Sequence, residues 1–285
     1  MYIILHQEKG EKAMTDDEII QLWLHGRSGC TRRAYEGDIH RLRGFLGKPL
    51  VEATLGDLQA FSDSLGHLAA SSQARILASA KSFYHFCVEQ GLMPANPSFG
   101  LKLPKAPNRL AERILTEEQV LKMLALEEAP QRHCLLRLLY ASGIRVSELA
   151  GLRWKDVQPH GTGGQITVLG KGGKTRSVAL PDSVYTELLT LRDGAGDDEP
   201  VFRNEAGGAL STFQVWKIVR EAAKRAGITA NVSPHWLRHC HASHSLERGA
   251  SVVLVKETLG HSSITTTTRY LHARPGRSSG DYLPV

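Results

Sequence analysis

Near the end of this sequence, two histidines, an arginine and a tyrosine have the types and spacing needed for chemistry on a phosphate. His235 and Arg238 are three residues apart, so they share one face of a helix. His261 follows a glycine, and Tyr270 comes nine residues later. Arginine binds phosphate through parallel hydrogen bonds, histidine moves a proton near neutral pH, and tyrosine can serve as a covalent nucleophile. Together they favour a reaction at an anionic oxygen centre.

The local sequence predicts two helices that present these residues. Ser233 is a natural N-cap, and Pro234 stands at the first helical position, where proline is best tolerated. Gly249 is expected to end that helix and Gly260 to end the next one. His261 would then emerge directly from a helix end.

A further arginine lies at a predicted helix start in the middle of the chain. The apolar segment CLLRLLYAS ends at Gly143, and Arg145 opens a short helix in the segment GIRVSELAGLRWKDV. Glu148, three residues on, can pair with Arg145 or cap the backbone. An isolated arginine at a helix start is usually structural, so its interpretation depends on the other residues.

Residues 165–180, QITVLGKGGKTRSVAL, predict a β-hairpin, because two short alternating runs flank a glycine- and lysine-rich turn. The turn is similar in composition to the phosphate-binding loop of nucleotide-binding proteins, but the spacing of its glycines and lysines does not match that motif. A Lys-Thr pair at 174–175 would need glycine where Val168 stands, and Lys171 is followed by glycine instead of serine or threonine.

Taken together, these segments resemble the catalytic domain of the tyrosine recombinase (phage integrase) family. That family carries an arginine in a first box, a lysine in a hairpin turn, a His-x-x-Arg motif, a Gly-His pair and a tyrosine shortly after. The resemblance assigns the catalytic positions to six residues: Arg145, Lys171, His235, Arg238, His261 and the nucleophile Tyr270. It also implies that Lys174 and Arg176 contact the DNA backbone.

The resemblance implies a mechanism for breaking and rejoining DNA strands. The two arginines would clamp the non-bridging oxygens of a phosphodiester, and His261 would donate a hydrogen bond to the same phosphate. Lys171 would protonate the leaving 5′ oxygen, and His235 would help to deprotonate the tyrosine, which would form a 3′-phosphotyrosyl bond. That bond retains the phosphodiester energy, so no ATP, metal or other cofactor is expected.

The sequence before these boxes predicts a separate all-helical unit. Apolar residues recur at helical spacing in DDEIIQLWL, in TRRAYEGDIHRLRGFLG with Thr31 as its cap, and in SSQARILASAKSFYHFCVEQG. Thr54 and Asp57 indicate a capping box for another helix, which would end near Gly66. The proline-rich stretch that follows is typical of a linker.

We therefore expect a flexible leader at 1–15, a helical SAM-like core-binding domain at 16–103, a linker at 104–112 and a catalytic domain at 113–285. The expected fold class is mainly α with a small β-sheet or hairpin, divided between a helical bundle and an α+β catalytic domain. The two domain types follow from the family resemblance.

Basic side chains of the helical unit are candidates for DNA contact under this resemblance. They are Arg32, Arg33, Arg43, Arg75 and Lys81. A solvated helix face explains the same pattern, and for a single helix taken alone it is the preferred interpretation.

Composition is compatible with a DNA-binding protein. The chain of 285 residues has a formal net charge of +6 and a pI of about 9.2, which favours a polyanionic partner. It has no apolar run long enough for a bilayer and no secretory signal, so a cytoplasmic protein without a membrane partner is expected. Widely spaced cysteines predict buried free thiols; they are Cys30, Cys87, Cys134 and Cys240.

Four histidines between 235 and 244, beside Cys240, include i,i+4 pairs that could hold zinc. However, Arg238 lies among them, and a cation beside a metal site is unfavourable. No acidic residue is placed there to act as a base. We therefore assign no metal site, and interpret His239, His241 and His244 as packing or hydrogen-bonding residues.

The resemblance also implies double-stranded DNA as partner and a tetramer on two DNA sites, composed of one chain or of two recombinases. A two-domain chain is closer to Xer-type recombinases, which resolve chromosome or plasmid dimers, than to integrases of phages and mobile elements. A type IB-like topoisomerase and a non-catalytic DNA-binding protein are the alternatives, and the intact set of six residues argues against the second. The tail after Tyr270 has two prolines and two glycines, so a regular docking helix is not expected there.

Overall fold

The computed structural model describes residues 14–105, 107–170, 173 and 175–271, with the backbone alone at Cys30. The chain forms two compact units that divide between Pro107 and Asn108. Most of the expected leader, the hairpin lysines Lys171 and Lys174, and the tail from residue 272 lie outside the described residues. The expectations for those segments stay predictions.

The N-terminal unit is a bundle of four α-helices within its described residues. They are α1 (Asp16–Leu24), α2 (Gly29–Leu46), α3 (Leu55–Ser64) and α4 (Ala70–Glu89). The capping box of Thr54 and Asp57 is confirmed, because each side chain accepts a hydrogen bond from the backbone N–H of the other residue. Apolar side chains of all four helices form its core.

The predicted start of α2 was wrong. The helix begins at Gly29, and Ser28 has the extended backbone of an N-cap residue. Thr31, the predicted cap, already lies in the first turn. Its hydroxyl accepts a hydrogen bond from the Ser28 hydroxyl at 3.0 Å, so the threonine supports the helix start from inside the helix.

The C-terminal unit combines eight α-helices with a three-stranded antiparallel sheet, counted over its described residues. The helices are α5 (Glu117–Ala125), α6 (Pro130–Ser142), α7 (Val146–Ala150), α8 (Asp182–Thr190), α9 (Thr212–Arg225), α10 (Pro234–Glu247), α11 (Val252–Leu259) and α12 (Ile264–Thr268). The strands are β1 (Val157–His160), β2 (Gly163–Leu169) and β3 (Thr175–Leu180), in the order β1-β2-β3. The expected mainly α fold with a small sheet is confirmed.

Strands β2 and β3 form the predicted hairpin, with Ile166 opposite Val178 and Leu169 opposite Thr175. Strand β1 was not predicted, because only Val157 of its four residues is buried and no apolar alternation marks it. Helix α8 was also missed, although it packs against β2.

Helix α10 carries two of the predicted site residues, His235 and Arg238, and packs against α5, α6, α9 and α11. Ser233 is its N-cap and Pro234 its first residue, as predicted. Leu237 and Cys240 anchor its apolar face in the core. Because neighbouring helices hold α10 on several sides, the directions of its polar side chains are fixed by the fold.

Three predicted free thiols are buried: Cys87, Cys134 and Cys240. Burial raises the pKa of Cys87 and of Cys134 to about 12, so both are inert at neutral pH. In the described part of the chain, no helix combines the length and apolarity that crossing a bilayer requires.

Candidate active site

The first element of the site is the tight corner between α6 and α7. Gly143 ends α6 in the left-handed conformation, and a Cβ here would lie 2.7 Å from side-chain atoms of His241 and Leu259. Only glycine permits both the turn and this close approach. Arg145 then becomes the N-cap of α7, as predicted, and Glu148 accepts hydrogen bonds from its backbone N–H at 2.7 Å and its Nη1 at 2.8 Å.

Glu148 is shared by two arginines. Besides Arg145, it binds Arg176 of β3, whose Nη1 and Nη2 donate to the two carboxylate oxygens at 2.7 and 2.9 Å. Burial alone would raise the pKa of Glu148, but the hydrogen bonds from Arg176 and Arg145 outweigh it and lower the pKa to about 2. The Nε of Arg176 donates to the carbonyl of Thr258 at 2.9 Å. One carboxylate and one arginine therefore join α7, β3 and the end of α11.

Arg238 lies in the interior, with 2% of its surface exposed. Its Nη1 donates to the carbonyl of Gly143 at 2.6 Å, and its Nη2 donates to the carbonyl of Leu259 at 2.7 Å. Both carbonyls lie at helix C-termini, where backbone acceptors lack helical partners and the helix dipole favours a cation. Burial, followed by the charge of Arg145, lowers the pKa of Arg238 to about 10, so the guanidinium stays charged at neutral pH.

His261 follows Gly260, the left-handed cap of α11. A Cβ at Gly260 would come within 3.0 Å of the Arg176 side chain, so this glycine leaves room for the arginine. The Nδ1 of His261 shares a hydrogen bond of 2.8 Å with the hydroxyl of Thr267, which is fully buried. Burial and the neighbouring arginines lower the pKa of His261 to about 4, so the ring is neutral near pH 7.

Tyr270 follows α12 and is 6% exposed. Its hydroxyl shares a hydrogen bond of 2.8 Å with the Nδ1 of His239 on α10. Burial raises the pKa of Tyr270, against the opposing charges of Arg238 and Arg269. His239 was predicted to pack or to form a hydrogen bond, and its hydrogen-bond partner is the predicted nucleophile.

His235 lies one helical turn before His239, with 5.0 Å between the ring centroids. Burial and the charge of Arg238 lower the pKa of His235. Burial and the neighbouring His235 lower the pKa of His239 to about 4. Both histidines line an open cavity of about 750 Å³, together with Arg113 and Trp236.

Five of the six predicted catalytic residues lie in the described part of the chain, and the fold brings them together. The charges of the two arginines lower the pKa of His235 and His261, and Arg238 also acts on Tyr270. Such effects require short separations. The sixth residue, Lys171, belongs to the hairpin turn outside the described residues.

Arg176 points inward and binds groups of its own unit, and its contact with the DNA backbone stays a prediction. Its side chain is only 14% exposed, and its donors bind Glu148 and the Thr258 carbonyl. The physical reason is the alternation of a strand: Arg176, Val178 and Leu180 lie on one face of β3, and that face is buried.

Two of the DNA contacts predicted in the N-terminal unit also bind groups within that unit. Arg75 pairs with the buried carboxylate of Asp38. Lys81 donates to the carbonyls of Ser98 at 2.8 Å and Leu101 at 2.9 Å. Both side chains therefore stabilise the unit, and their contact with DNA stays a prediction.

The remaining predicted contacts of this unit lie on α2. Arg43 pairs with Asp17 of α1 at 2.5 Å, and Arg32 donates to the side-chain oxygen of Gln21 at 2.6 Å. Arg32 and Arg33 have exposed side chains.

The other histidines of α10 have the hydrogen-bonding roles that were predicted. His241 Nδ1 donates to the carbonyl of Tyr140 at 2.9 Å, and His244 Nε2 donates to the carbonyl of Leu115 at 3.0 Å. Among the described residues, no three His, Cys, Asp or Glu side chains are grouped in a way that could hold a metal ion.

The site contacts of His239 and Thr267 were not predicted from the sequence. His239 is four residues after His235 and so shares its helix face, a spacing that could have linked it to the site. Thr267 lies within a run of four threonines, and nothing in that run distinguishes it from its neighbours.

The two arginines could bind a phosphate, and the buried tyrosine with its neighbouring histidines could present a nucleophile to it. The sequence matches the phage integrase family over residues 113–277, and the N-terminal SAM-like domain of phage integrases over residues 20–91. The chain belongs to the phage integrase family, the tyrosine recombinases, and is an enzyme that cleaves and rejoins DNA strands.

Within this family the chain is Xer-like. It is 36% identical over 258 residues to tyrosine recombinase XerC of Xylella fastidiosa (strain M23), with 87% of each chain covered. It is 38% identical over 268 residues to tyrosine recombinase XerD of Chlorobaculum tepidum, with 86% of each covered. Its fold is similar to that of a lambda integrase tetramer bound to a Holliday junction, with a TM-score of 0.74, 20% identity, and 94% of this chain and 80% of that chain covered.

Proposed function

We propose that this enzyme is a site-specific recombinase that resolves chromosome or plasmid dimers through a 3′-phosphotyrosyl intermediate at Tyr270. The observation that carries the proposal is the binding of Arg238 to two helix ends, which lead directly to Arg145 and His261. The similarity to XerC and XerD supports the resolution role, and that role would place the enzyme in the cytoplasm.

The two arginines would bind the non-bridging oxygens of the scissile phosphate. A phosphodiester resists attack because its charged oxygens repel a nucleophile, so the catalyst must neutralise the charge that grows in the transition state. Two of the five N–H groups of Arg238 bind the carbonyls of Gly143 and Leu259, and this orients the guanidinium before substrate arrives. Glu148 orients Arg145 in the same way.

His261 would donate a hydrogen bond to the same phosphate. Its Nδ1 is engaged by Thr267, so the Nε2 of the ring is the atom available to substrate. With a pKa of about 4, the ring is neutral at pH 7 and can donate only if its hydrogen is on Nε2. The Thr267 hydroxyl would fix that tautomer by donating to Nδ1.

Lys171 would protonate the 5′ oxygen as it leaves. The family resemblance carries this assignment, and Lys174 beside it would contact the DNA backbone. Arg176 supports the arrangement indirectly, because its bonds to Glu148 tie β3, the strand that follows the turn, to α7. We therefore propose Arg176 as a positioning residue.

Attack by Tyr270 would conserve the phosphodiester energy in the phosphotyrosyl bond, so the reaction would need no ATP. A 5′-hydroxyl from another strand could then reverse the step, which makes the reaction a strand exchange. The arginines and the lysine would supply the positive charge that metal ions supply in other phosphoryl-transfer enzymes.

Strand exchange between two duplexes requires several active sites. We propose a tetramer on two DNA sites, composed of this chain alone or of this chain with a second recombinase. The tetrameric lambda integrase of similar fold supports that arrangement.

The N-terminal unit, proposed as the core-binding domain, would contact DNA through basic residues of α2. Arg32 and Arg33 are the exposed candidates, and Arg43 lies on the same helix. Arg75 and Lys81 are poorer tests of DNA contact, because Arg75 pairs with the buried Asp38 and Lys81 binds two backbone carbonyls. Replacing either one would also destabilise the unit.

Covalent capture tests the proposal. Purified enzyme, alone and with a cell lysate of the source organism, is incubated with fragmented genomic DNA and stopped with SDS. The protein-linked DNA is then sequenced. We expect adducts on the 3′ side of one recurrent, nearly palindromic site, and none with Tyr270→Phe.

Adducts scattered without a preferred site would contradict site-specific recombination and indicate a topoisomerase. Absence of adducts in both preparations, from protein that still binds DNA, would indicate a non-catalytic binder.

A further inference from the structure

We infer that His239 is the catalytic residue that accepts the proton of Tyr270, a role that the family resemblance gives to His235. The inference rests on the proposed tyrosine chemistry and concerns only the group that receives the tyrosine proton.

The geometry of the hydroxyl carries the inference. The Tyr270 oxygen and the Nδ1 of His239 are 2.8 Å apart, within the range of direct proton transfer. Among the described residues, His239 is the side chain hydrogen-bonded to this hydroxyl. His235 contacts the imidazole of His239 instead, with 5.0 Å between the ring centroids.

The charges around His239 keep its ring able to accept a proton. Burial and the neighbouring groups lower its pKa to about 4, so the ring is neutral in the resting enzyme at pH 7. The groups that act on it are His235, Arg113, Arg238, Arg269 and its partner Tyr270. A neutral ring with its hydrogen on Nε2 accepts the tyrosine O–H at Nδ1.

Binding of DNA would raise the pKa of His239 and so make it a stronger base during the reaction. A bound phosphate neutralises the arginines whose charges depress the pKa of His239, so the pKa rises when DNA occupies the site. The phenol also becomes more acidic as its oxygen begins to bond to phosphorus, which favours transfer during the attack.

The protons balance over the whole step. The Tyr270 O–H bond breaks, its electron pair forms the O–P bond, and the proton moves to Nδ1 of His239, which becomes imidazolium. The bond from phosphorus to the 5′ oxygen breaks, and that oxygen takes a proton from Lys171. In rejoining, the imidazolium returns its proton to the departing tyrosine, and the attacking 5′-hydroxyl gives its proton to the lysine.

The chain contains a second tyrosine–histidine hydrogen bond, which provides a control for the structural effect of losing such a bond. Tyr140 and His244 share the same kind of bond, hydroxyl to Nδ1 at 2.8 Å, and His244 lies on the same helix as His239. The Nε2 of His244 donates to the carbonyl of Leu115, so this pair is locked into the core. His244→Ala removes an equivalent bond from a place where no chemistry is proposed.

The cavity beside His239 makes chemical rescue feasible. It is open, has a volume of about 750 Å³ and is lined by both His235 and His239. Free imidazole can enter by this route and occupy the space left by His239→Ala.

The experiment measures single-turnover cleavage of the captured site with wild-type enzyme and with His239→Ala, His235→Ala, His244→Ala and Lys171→Ala. We expect His239→Ala to cleave about 100-fold more slowly, as loss of a general base predicts. Imidazole should restore part of this rate, in proportion to its neutral form. His244→Ala should cleave at the wild-type rate per folded molecule and should not respond to imidazole.

A second substrate distinguishes the proposed base, His239, from the proposed acid, Lys171. When sulfur replaces the bridging 5′ oxygen, the leaving thiolate needs no proton. We expect this substrate to restore cleavage by Lys171→Ala and to leave His239→Ala slow.

Three results would overturn the inference: His239→Ala cleaving within about threefold of the wild-type rate, imidazole restoring only His235→Ala, or sulfur restoring His239→Ala. In each case adducts formed by the wild-type enzyme would leave the proposed recombinase function intact. Failure of the wild-type enzyme to form adducts would reject that function itself.

Discussion

The side chains of this site differ in charge at neutral pH. Arg238 has a pKa of about 10 and stays cationic, whereas His239 and His261 have pKa values of about 4 and stay neutral at pH 7. In the proposed reaction, the arginines would therefore supply the positive charge that binds the phosphate. The neutral histidines would donate or accept single hydrogen bonds or protons, and their tautomers decide which they do.

Thr267 provides a test of the His261 tautomer. Thr267→Val keeps the volume of the side chain but removes the hydroxyl bound to Nδ1. Loss of one orienting hydrogen bond should slow cleavage by about tenfold, which corresponds to about 1.4 kcal/mol, without changing DNA affinity. Single-turnover cleavage and a binding isotherm provide the two readouts.

Thr267→Ser is the matched control, because it retains the hydroxyl and should cleave at close to the wild-type rate. Equal losses in the valine and serine variants would show that packing, rather than the hydrogen bond to His261, explains the effect.

At the level of helices and strands, side chains that bind the ends of helices hold the elements of the site together. Arg238 binds the C-terminal ends of α6 and α11, and Glu148 joins α7 to β3. Arg145 and His261 each follow one of the helix ends that Arg238 binds. A substitution at one of these links should therefore displace several of the proposed catalytic groups together.

Glu148→Ala tests this coupling. It leaves Arg145 and Arg176 without their shared carboxylate in a partly buried site, so the free energy of unfolding should fall by about 3 kcal/mol. Urea denaturation measures the loss. Among molecules that remain folded, cleavage should decrease more than DNA binding, because the guanidinium of Arg145 is no longer oriented.

Asp198→Ala is the control for that variant, since Asp198 and Lys155 form an exposed ion pair at 2.7 Å. It should leave both stability and cleavage unchanged. Equal stability of the two variants would contradict a structural role for Glu148.

Local signals in the sequence were sufficient for much of this architecture. Ser233 with Pro234, and Thr54 with Asp57, identify helix starts because caps act through neighbouring atoms. The hairpin and the start of α7 at Arg145 follow from equally local patterns.

Contacts between distant segments were not predictable in the same way. The bond from His239 to Tyr270 joins residues that are 31 positions apart, and the bond from Arg176 to Glu148 joins residues that are 28 positions apart. Only packing decides such contacts. The inward direction of Arg176 was the exception, because its alternation with Val178 was available in the sequence.

For the whole molecule, the buried histidines predict how stability depends on pH. The pKa is lowered for His235, His239, His241 and His261. In the unfolded chain these groups titrate near pH 6.5, so between about pH 6.5 and 4 the unfolded chain binds protons that the folded chain does not. The histidines should therefore leave stability level between about pH 7 and 8, and stability should fall as the pH decreases through this window.

Urea denaturation at a series of pH values from 7.5 to 4.5 measures this dependence. His261→Asn should have a shallower slope than the wild type, because it lacks one of the titrating groups. Carboxylates such as Glu148, with a pKa of about 2, contribute mainly below the histidine window. Constant stability between pH 7 and 5 would contradict the assignment of neutral buried histidines.

The proposed reaction requires that Tyr270 itself becomes bonded to a 3′ phosphate. Trypsin and nuclease digestion of the captured adduct, followed by mass spectrometry, identifies the bonded residue. The tyrosine lies in the tryptic peptide YLHARPGR (270–277), whereas Tyr282 lies in the separate peptide SSGDYLPV (278–285). We expect a nucleotide on Tyr270, joined through its 3′ phosphate, with a free 5′-hydroxyl on the other DNA fragment. A nucleotide on Tyr282 or any other residue, or a link through a 5′ phosphate, would rule out Tyr270 as the nucleophile of this reaction.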